Sequence, residues 1–542
     1  MKASNVLNRR YSRASQWLFL TLLFLQPLAF ADNNNFEQAI QQLTQRSYPL
    51  KIQAIENIAQ SQSPQTEPFL KKLLASEVYY RKSDKKIFYL VERGDNFQIE
   101  EVISGKKQIV EDKYLFKKVI INNRMRSIIH QEIAGLQLNS SNPTIRKSAV
   151  AEILKKVNDD DVSLISRYIK TETNNDVKKL MQTVIAIGTL HSNNESDILS
   201  AIKTLDGNLE PIVRIRLKNL VSSTDNQKIK AAAQKSLLNI QGKLDLYDKL
   251  KTLYFGLSFG SVLVLAGIGL AITFGVMGVI NMAHGELIML GAYTTYLVQQ
   301  LMPDSIGISI IIAIPAAFIV SGLVGILMER TVIRHLYGRP LETLLATFGI
   351  SLILQQAVRT IFSPLNRTVI TPEWMSGTLT INSAFSLTWN RLYIIIFCLI
   401  VFFSLLAVMK KTALGLQVRA VSQNRTMAKA MGVRSDWVDA LTFGLGAGIA
   451  GVAGVALSLL TNVGPNLGQS YIIDSFMVVV FGGVGNLWGT LVAGTSLGIV
   501  NKLLEPWAGA VLAKILVLIF IILFIQKRPR GLFPQRGRAA EN

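Results

Sequence analysis

Cysteine is nearly absent. Cys398 is the single one in 542 residues, and it stands inside an apolar run. One thiol cannot close an intramolecular disulfide, so it carries no message about redox compartment; it reads as a small buried hydrophobe. Histidine is scarce too, and neither His130 nor His191 has metal-ligand spacing around it. No G-x-x-x-x-G-K-[ST] occurs, which excludes a Walker-type nucleotide loop. H-E-x-x-H, paired-cysteine and G-x-S-x-G patterns are missing as well. No catalytic residue, metal or cofactor is expected, and an enzyme is a poor fit. Acidic residues are outnumbered, 36 against 57 basic, for a formal net charge of +21. A nucleic-acid binder can show that balance. Here no recognition motif and no aromatic-interleaved basic patch appear, and much of the excess sits in loops and a tail beside apolar runs, as the positive-inside rule expects. No nucleic-acid partner is expected.

What is present falls into three parts. Residues 1–31 read as a secretory signal: Arg9, Arg10 and Arg13 form a basic start, Trp17 to Leu25 a short apolar core, and Ala29-Phe30-Ala31 a cleavage site. Residues 32–250 are polar and read as a soluble, mostly α-helical domain. Within it, "IFYLVERGDNFQIEEVISGKKQIV" reads as a small β-meander, its β-branched and aromatic residues flanking Gly94-Asp95-Asn96 and Ser104-Gly105. From about residue 140, "NPTIRKSAVAEIL", "NNDVKKLMQTVIAI", "EPIVRIRLKNLV" and "NQKIKAAAQKSLLNI" share one scheme of polar cap, aliphatic residue, basic residues and apolar stripe. Ile145, Val177 and Val213 are spaced by roughly one helical hairpin. The scheme resembles HEAT-type α-solenoid repeats; an ordinary helical domain is the plainer reading.

Residues 251–542 read as an all-α polytopic membrane domain of about eight transmembrane helices. Nine apolar pieces can be marked, at 254–274, 277–300, 308–328, 343–362, 391–409, 437–460, 470–485, 488–503 and 507–526. A count of eight requires one piece to be re-entrant or merged with another. Basic residues cluster after the third piece, in the 410–434 loop and in the tail from Lys527. The positive-inside rule makes these cytoplasmic, with the N-terminal domain periplasmic.

One stretch is unusual. "FGVMGVINMAHGELIMLGAY", from Phe274 to Tyr293, carries Asn281, His284 and Glu286 among Gly275, Gly278, Gly285 and Gly291. Ionisable groups in an apolar run usually face a protein interior or a water path. The three residues are candidates for a path or gate. Alternatively, His284 and Glu286 pair with each other or cap a broken helix, and the glycines let helices approach closely. Asp474 and Lys514 are the other charges inside apolar runs, and each reads as an interfacial residue. In the long basic loop, Ser422 to Met431 reads as a short helix outside the membrane, ended by Gly432, with small Ala428 and Ala430 able to dock against a partner.

That loop resembles the coupling helix of ABC-importer permeases. With it, "TFGVMGVINMAHGELIMLGAY", "TFGISLILQQ", "FGGVGNLWGTLVAG" and "KRPRGLF", in that order over about residues 253–535, resemble the branched-chain amino-acid class of those permeases. The resemblance implies an inner-membrane, multi-pass subunit that works with a second permease subunit, two cytoplasmic ATPase subunits and a periplasmic substrate-binding protein. It implies an ATPase-coupling role for Arg425, Ala428, Ala430, Met431 and Gly432, and a small polar substrate. The long extension behind a signal segment resembles the urea-type subgroup, which makes urea the expected substrate. A branched-chain amino acid or short amide is the alternative. A non-transporting membrane scaffold or sensor is a reading of another class.

Overall fold

The computed structural model describes residues 31–534, apart from 46, 62, 94–95 and 111–112. The expected signal segment lies outside these but for Ala31, which opens the first described helix. Contacts divide the chain into two compact units between Ile240 and Gln241.

The first unit opens with the helices Ala31–Gln42, Tyr48–Gln60 and Thr66–Leu74. Their apolar stripes close on one another, with the Phe36 and Phe69 rings edge to face at 5.7 Å. An antiparallel sheet follows. The expected meander is there, as Ile87–Arg93, Asn96–Glu101 and Lys107–Val110. The sheet extends past it: Val78–Arg81 pairs beside Ile87–Arg93, and Phe116–Lys118 pairs beside Val78–Arg81. These two strands have four and three residues. Such short runs carry little alternation of their own and are held by their neighbours.

Helices then continue from Asn123–Leu138 through Pro211–Ser223. The expected polar caps form. Asn142 accepts from the Thr144 amide, Asn174 from those of Asp176 and Val177, and Asn226 from those of Lys228 and Ile229. The three aliphatic positions are not equivalent, however. Val177 and Val213 are buried, while Ile145 is exposed. What Arg146 secures at that place is a two-pronged ion pair with Glu172, at 2.7 and 2.8 Å, from a neighbouring connection.

Six helices among the described residues are long and apolar enough to cross a membrane, the first of them Gln227–Met277. The helices His284–Leu301 and Leu467–Gly482 stand among them. The last two apolar pieces form one helical run, Leu487–Lys527, interrupted at Gly509, whose φ of +78° an L side chain rarely adopts. Packing shows what the interruption does. Thr490, Thr495 and Ile499 meet Gly267, Gly260 and Gly256, so this part runs against the first membrane helix. Lys514 and Phe524 meet Asp474 and Phe481, so the part after Gly509 runs with Leu467–Gly482. Leu467–Gly482 itself runs with the first helix, Val478 lying at Gly267 and Gly485 at Gly275. The chain therefore turns back at Gly509.

The core rests on close backbone approach. A Cβ at Gly291 would collide with the Gly451 carbonyl, and one at Gly285 with the Gly468 carbonyl. Glycine removes the side chain that would separate those helices, as membrane helix packing requires.

Candidate functional site

The first membrane helix ends at Met277 because Gly278 takes φ +64°. The chain runs unwound to Ala283 and resumes as a helix at His284. An unwound turn inside an apolar core must find partners for its backbone. Asn281 Oδ1 accepts the Ala283 amide at 3.0 Å, and Thr347 Oγ1 accepts the Met282 amide at 3.1 Å. Asn281 and Thr347 thus do the capping that the sequence alone would give to His284 and Glu286.

His284 and Glu286 do not pair. His284 is fully buried and donates from Nε2 to the Ala266 carbonyl at 2.9 Å. Nε2 must carry the proton, since a carbonyl only accepts. This contact ties the start of the new helix back onto the first one. Glu286, in the first turn of the new helix and 1% exposed, faces the Pro340–Phe362 helix. Its Oε1 accepts from Ser351 Oγ at 3.0 Å and from Gln355 Nε2 at 2.7 Å. Its Oε2 is buried without a partner, as are Asn281 Nδ2, His284 Nδ1 and Tyr293 Oη. The three sequence candidates therefore separate. Asn281 shapes the break, His284 docks the helix, and Glu286 offers a carboxylate oxygen to the interior.

Ser351 and Gln355 escaped notice in the sequence although both lie in "TFGISLILQQ". Their signal was available: Thr347, Ser351 and Gln355 recur every four residues in an otherwise apolar helix, which is one helical face.

The second constellation lies around the short helix in the long basic loop. Helix Ala413–Gln423 takes in Ser422, and Asn424 breaks it by capping a separate helix, Arg425–Ala430, through the Met427 amide at 2.9 Å. The short helix therefore starts at Arg425, not Ser422. Gly432 ends it as expected, with φ +87° and the Val433 amide closing on the Ala428 carbonyl at 3.0 Å. Ala428 points inward and packs with Val418, Val421 and Val438. Met427 and Met431 are exposed, and Ala430 with them.

Arg425 turns the other way. Its guanidinium meets Asp439 Oδ1 at 2.8 Å and covers the Tyr337 ring at 4.8 Å. Tyr337 donates to Glu329 at 3.3 Å, and Arg330 stacks on Trp437 at 4.3 Å. Burial and the Asp439 and Glu329 carboxylates push the Tyr337 phenol well above its usual range, which keeps it a donor. The short helix is thereby bonded to the ends of Ile306–Thr331 and Ser435–Ser458. Sequence reasoning named Arg425 but missed Asp439, Tyr337 and Glu329, which come together only through folding.

Asp474 and Lys514, expected as separate interfacial residues, form one ion pair at 2.9 Å. Among the described residues no cluster of His, Cys, Asp and Glu could hold a metal ion.

A family model described as branched-chain amino acid transport system, permease component, matches residues 252–525, just over half of the chain. Residues of this chain are 29% identical over 297 positions to the high-affinity branched-chain amino acid transport system permease protein BraD of Pseudomonas aeruginosa. That alignment covers 53% of this chain and 96% of BraD. The corresponding Escherichia coli protein, LivH, is 27% identical over 52% of this chain and 94% of its own length. A probable branched-chain amino acid transport permease protein LivH of Methanocaldococcus jannaschii is 26% identical over 51% and 89%. No solved structure matches.

Proposed function

We infer the function of this chain from one premise: it belongs to the branched-chain amino acid transport system permease family. We propose that it is a permease subunit of an ATP-driven ABC importer, forming the translocation path with a second permease subunit. Two cytoplasmic ATPase subunits supply the energy and a periplasmic binding protein delivers the solute. The observation that carries this reading is the arrangement around Arg425. A short helix and the residue after it expose Met427 and Met431 outward, while Arg425 and Ala428 are bonded and packed against the start of Ser435–Ser458, and Arg425 covers Tyr337, which is bonded to Glu329 near the end of Ile306–Thr331. A push on such a helix moves the bundle behind it. Arg425, Ala428, Ala430, Met431 and Gly432 are read as the ATPase-coupling loop, and Glu286, with Asn281 and His284 holding the break, as part of the path.

The orientation proposed is an inner-membrane, multi-pass protein with the 332–339 and 412–434 segments and the C-terminus in the cytoplasm and the N-terminal unit in the periplasm. The basic residues of those segments support it. The helical array before residue 240 is read as HEAT-like and as a dock for the binding protein.

Two substrates follow from different observations. Urea is proposed because the family match begins at residue 252 and leaves the whole N-terminal unit outside it, in line with the extended urea-type subgroup. A branched-chain amino acid is the second reading, favoured by the transport systems to which the relatives belong. Uptake of labelled urea and labelled leucine, in cells with and without the gene, decides between them. Loss of urea uptake alone supports the first and loss of leucine uptake alone the second. No change in either overturns both.

A further inference from the structure

Four polar side chains run along one face of the Pro340–Phe362 helix at four-residue spacing, about 6 Å per step. Thr343, Thr347, Ser351 and Gln355 are all buried, while Leu345, Leu352 and Ile353 on the other faces are exposed. The first two hydroxyls are satisfied by backbone close to them. Thr343 donates to the Arg339 carbonyl at 2.8 Å and Thr347 to that of Thr343 at 2.9 Å. Ser351 and Gln355 reach across to another helix and converge on a single atom, Glu286 Oε1.

That convergence leaves Glu286 Oε2 buried with no hydrogen-bond partner. A carboxylate kept only for packing gains by pairing both oxygens, because a half-satisfied buried polar group is worse than an apolar one. A second open group stands on the same face. Tyr293 lies seven residues, about two turns, beyond Glu286, and its buried hydroxyl has no partner. Its ring packs on Phe362 at 4.8 Å, seven residues beyond Gln355. The two helices thus run side by side in the same direction, with unpartnered buried polar groups at two levels.

We propose that Ser351 and Gln355 hold Glu286 as a solute-binding subsite on the translocation path, and that the solute group it takes is an N–H donor. A carboxylate oxygen held in this way accepts hydrogen bonds. It suits the amide hydrogens of a urea-like solute or the ammonium group of an amino acid, and it repels a solute carboxylate. Glu286 binds; Ser351 and Gln355 are positioning residues. The assignment rests on the permease reading above.

The test uses the complete transporter in proteoliposomes, with binding protein outside and ATP supplied to the ATPase subunits. Uptake of labelled urea and labelled leucine is measured beside stimulated ATP hydrolysis. Glu286→Gln is expected to cut uptake of the transported solute about ten- to a hundredfold, the loss typical of a charged hydrogen bond, while ATP hydrolysis persists. Glu286→Asp is expected to restore part of it. Gln355→Leu and Ser351→Ala should raise KM more than they lower kcat. Which solute responds tells whether an amide or an ammonium is taken. Wild-type uptake in Glu286→Gln overturns the proposal. So do unchanged KM values in Gln355→Leu and Ser351→Ala, which carry the test if Glu286→Gln fails to assemble. A wild-type transporter that moves neither solute overturns the permease reading instead.

Discussion

Lys514 donates to Asp474 at 2.9 Å across two helices, and the partners differ in surroundings: the Asp474 side chain is 6% exposed and that of Lys514 42%. The aspartate is committed to the interior, and the lysine reaches in from the rim to balance it. Breaking a buried pair from one side strands a charge, whereas removing both charges can be neutral. Lys514→Met is expected to lower stability by about 1–3 kcal/mol, discounted for the exposed partner. Lys514→Met with Asp474→Leu is expected to recover most of it. Thermal unfolding of the three proteins in detergent checks this; an additive double variant would refute the pairing.

Arg425 and Asp439 join the short helix to the Ser435–Ser458 helix. Asp439 is 1% exposed in its side chain and leans on this one guanidinium. Arg425→Ala is expected to abolish ATP-driven uptake at unchanged membrane abundance. The ATPase subunits should remain able to hydrolyse ATP, because the docking proposed above uses the outward face. Arg425→Lys keeps the charge but loses the planar stack on Tyr337, so an intermediate rate is expected. Uptake and ATP hydrolysis measured on the same vesicles separate the outcomes.

Ala428 and Ala430 sit two residues apart on the short helix and face opposite ways. Ala428→Leu overfills the cluster with Val418, Val421 and Val438, a change that typically costs about 1–3 kcal/mol. It should impair transport by displacing the loop. Ala430→Ser adds one exposed hydroxyl and should leave stability within about 0.5 kcal/mol. Protease sensitivity of the 412–434 segment in membranes is the measurement. Equal sensitivity in both variants would contradict the inward placement of Ala428.

In the N-terminal unit the Arg146 guanidinium beside Glu172 holds its carboxyl below the usual range. A depressed carboxyl contributes stability that is complete above its unfolded value, about 4.3, and that fades as pH falls through the folded value. Hydrogen exchange at the start of the Asn175–Thr189 helix, taken relative to the intrinsic rate of an unprotected amide at each pH, should therefore accelerate below about pH 4 in the natural protein. In Glu172→Gln it should already be faster at neutral pH and should change less on acidification.

Several features were legible in the sequence for local reasons. Gly432 stops a helix because its own backbone tolerates positive φ, and Asn142, Asn174 and Asn226 cap helices within three residues of themselves. Apolar runs and basic loops marked the membrane half because composition is enough for that. The Ile87–Val110 meander showed through alternation, whereas Val78–Arg81 and Phe116–Lys118 are strands only because the sheet is there to receive them.

The sequence by itself determined the apolar pieces, the caps, the glycine breaks and the rarity of charge in the membrane half, all of which depend on a residue and its near neighbours. The tertiary structure decided the partners. Proximity in sequence suggested His284 as a partner for Glu286, but side chains two apart on one helix do not face each other; Glu286 met Ser351 and Gln355, 65 and 69 residues on. Arg425 found Asp439 and Tyr337, and Asp474 found Lys514, in the same way. Most buried polar groups are paired wherever the fold leaves them, and hydrogen-bond reach is set by distance in space, which sequence spacing does not encode.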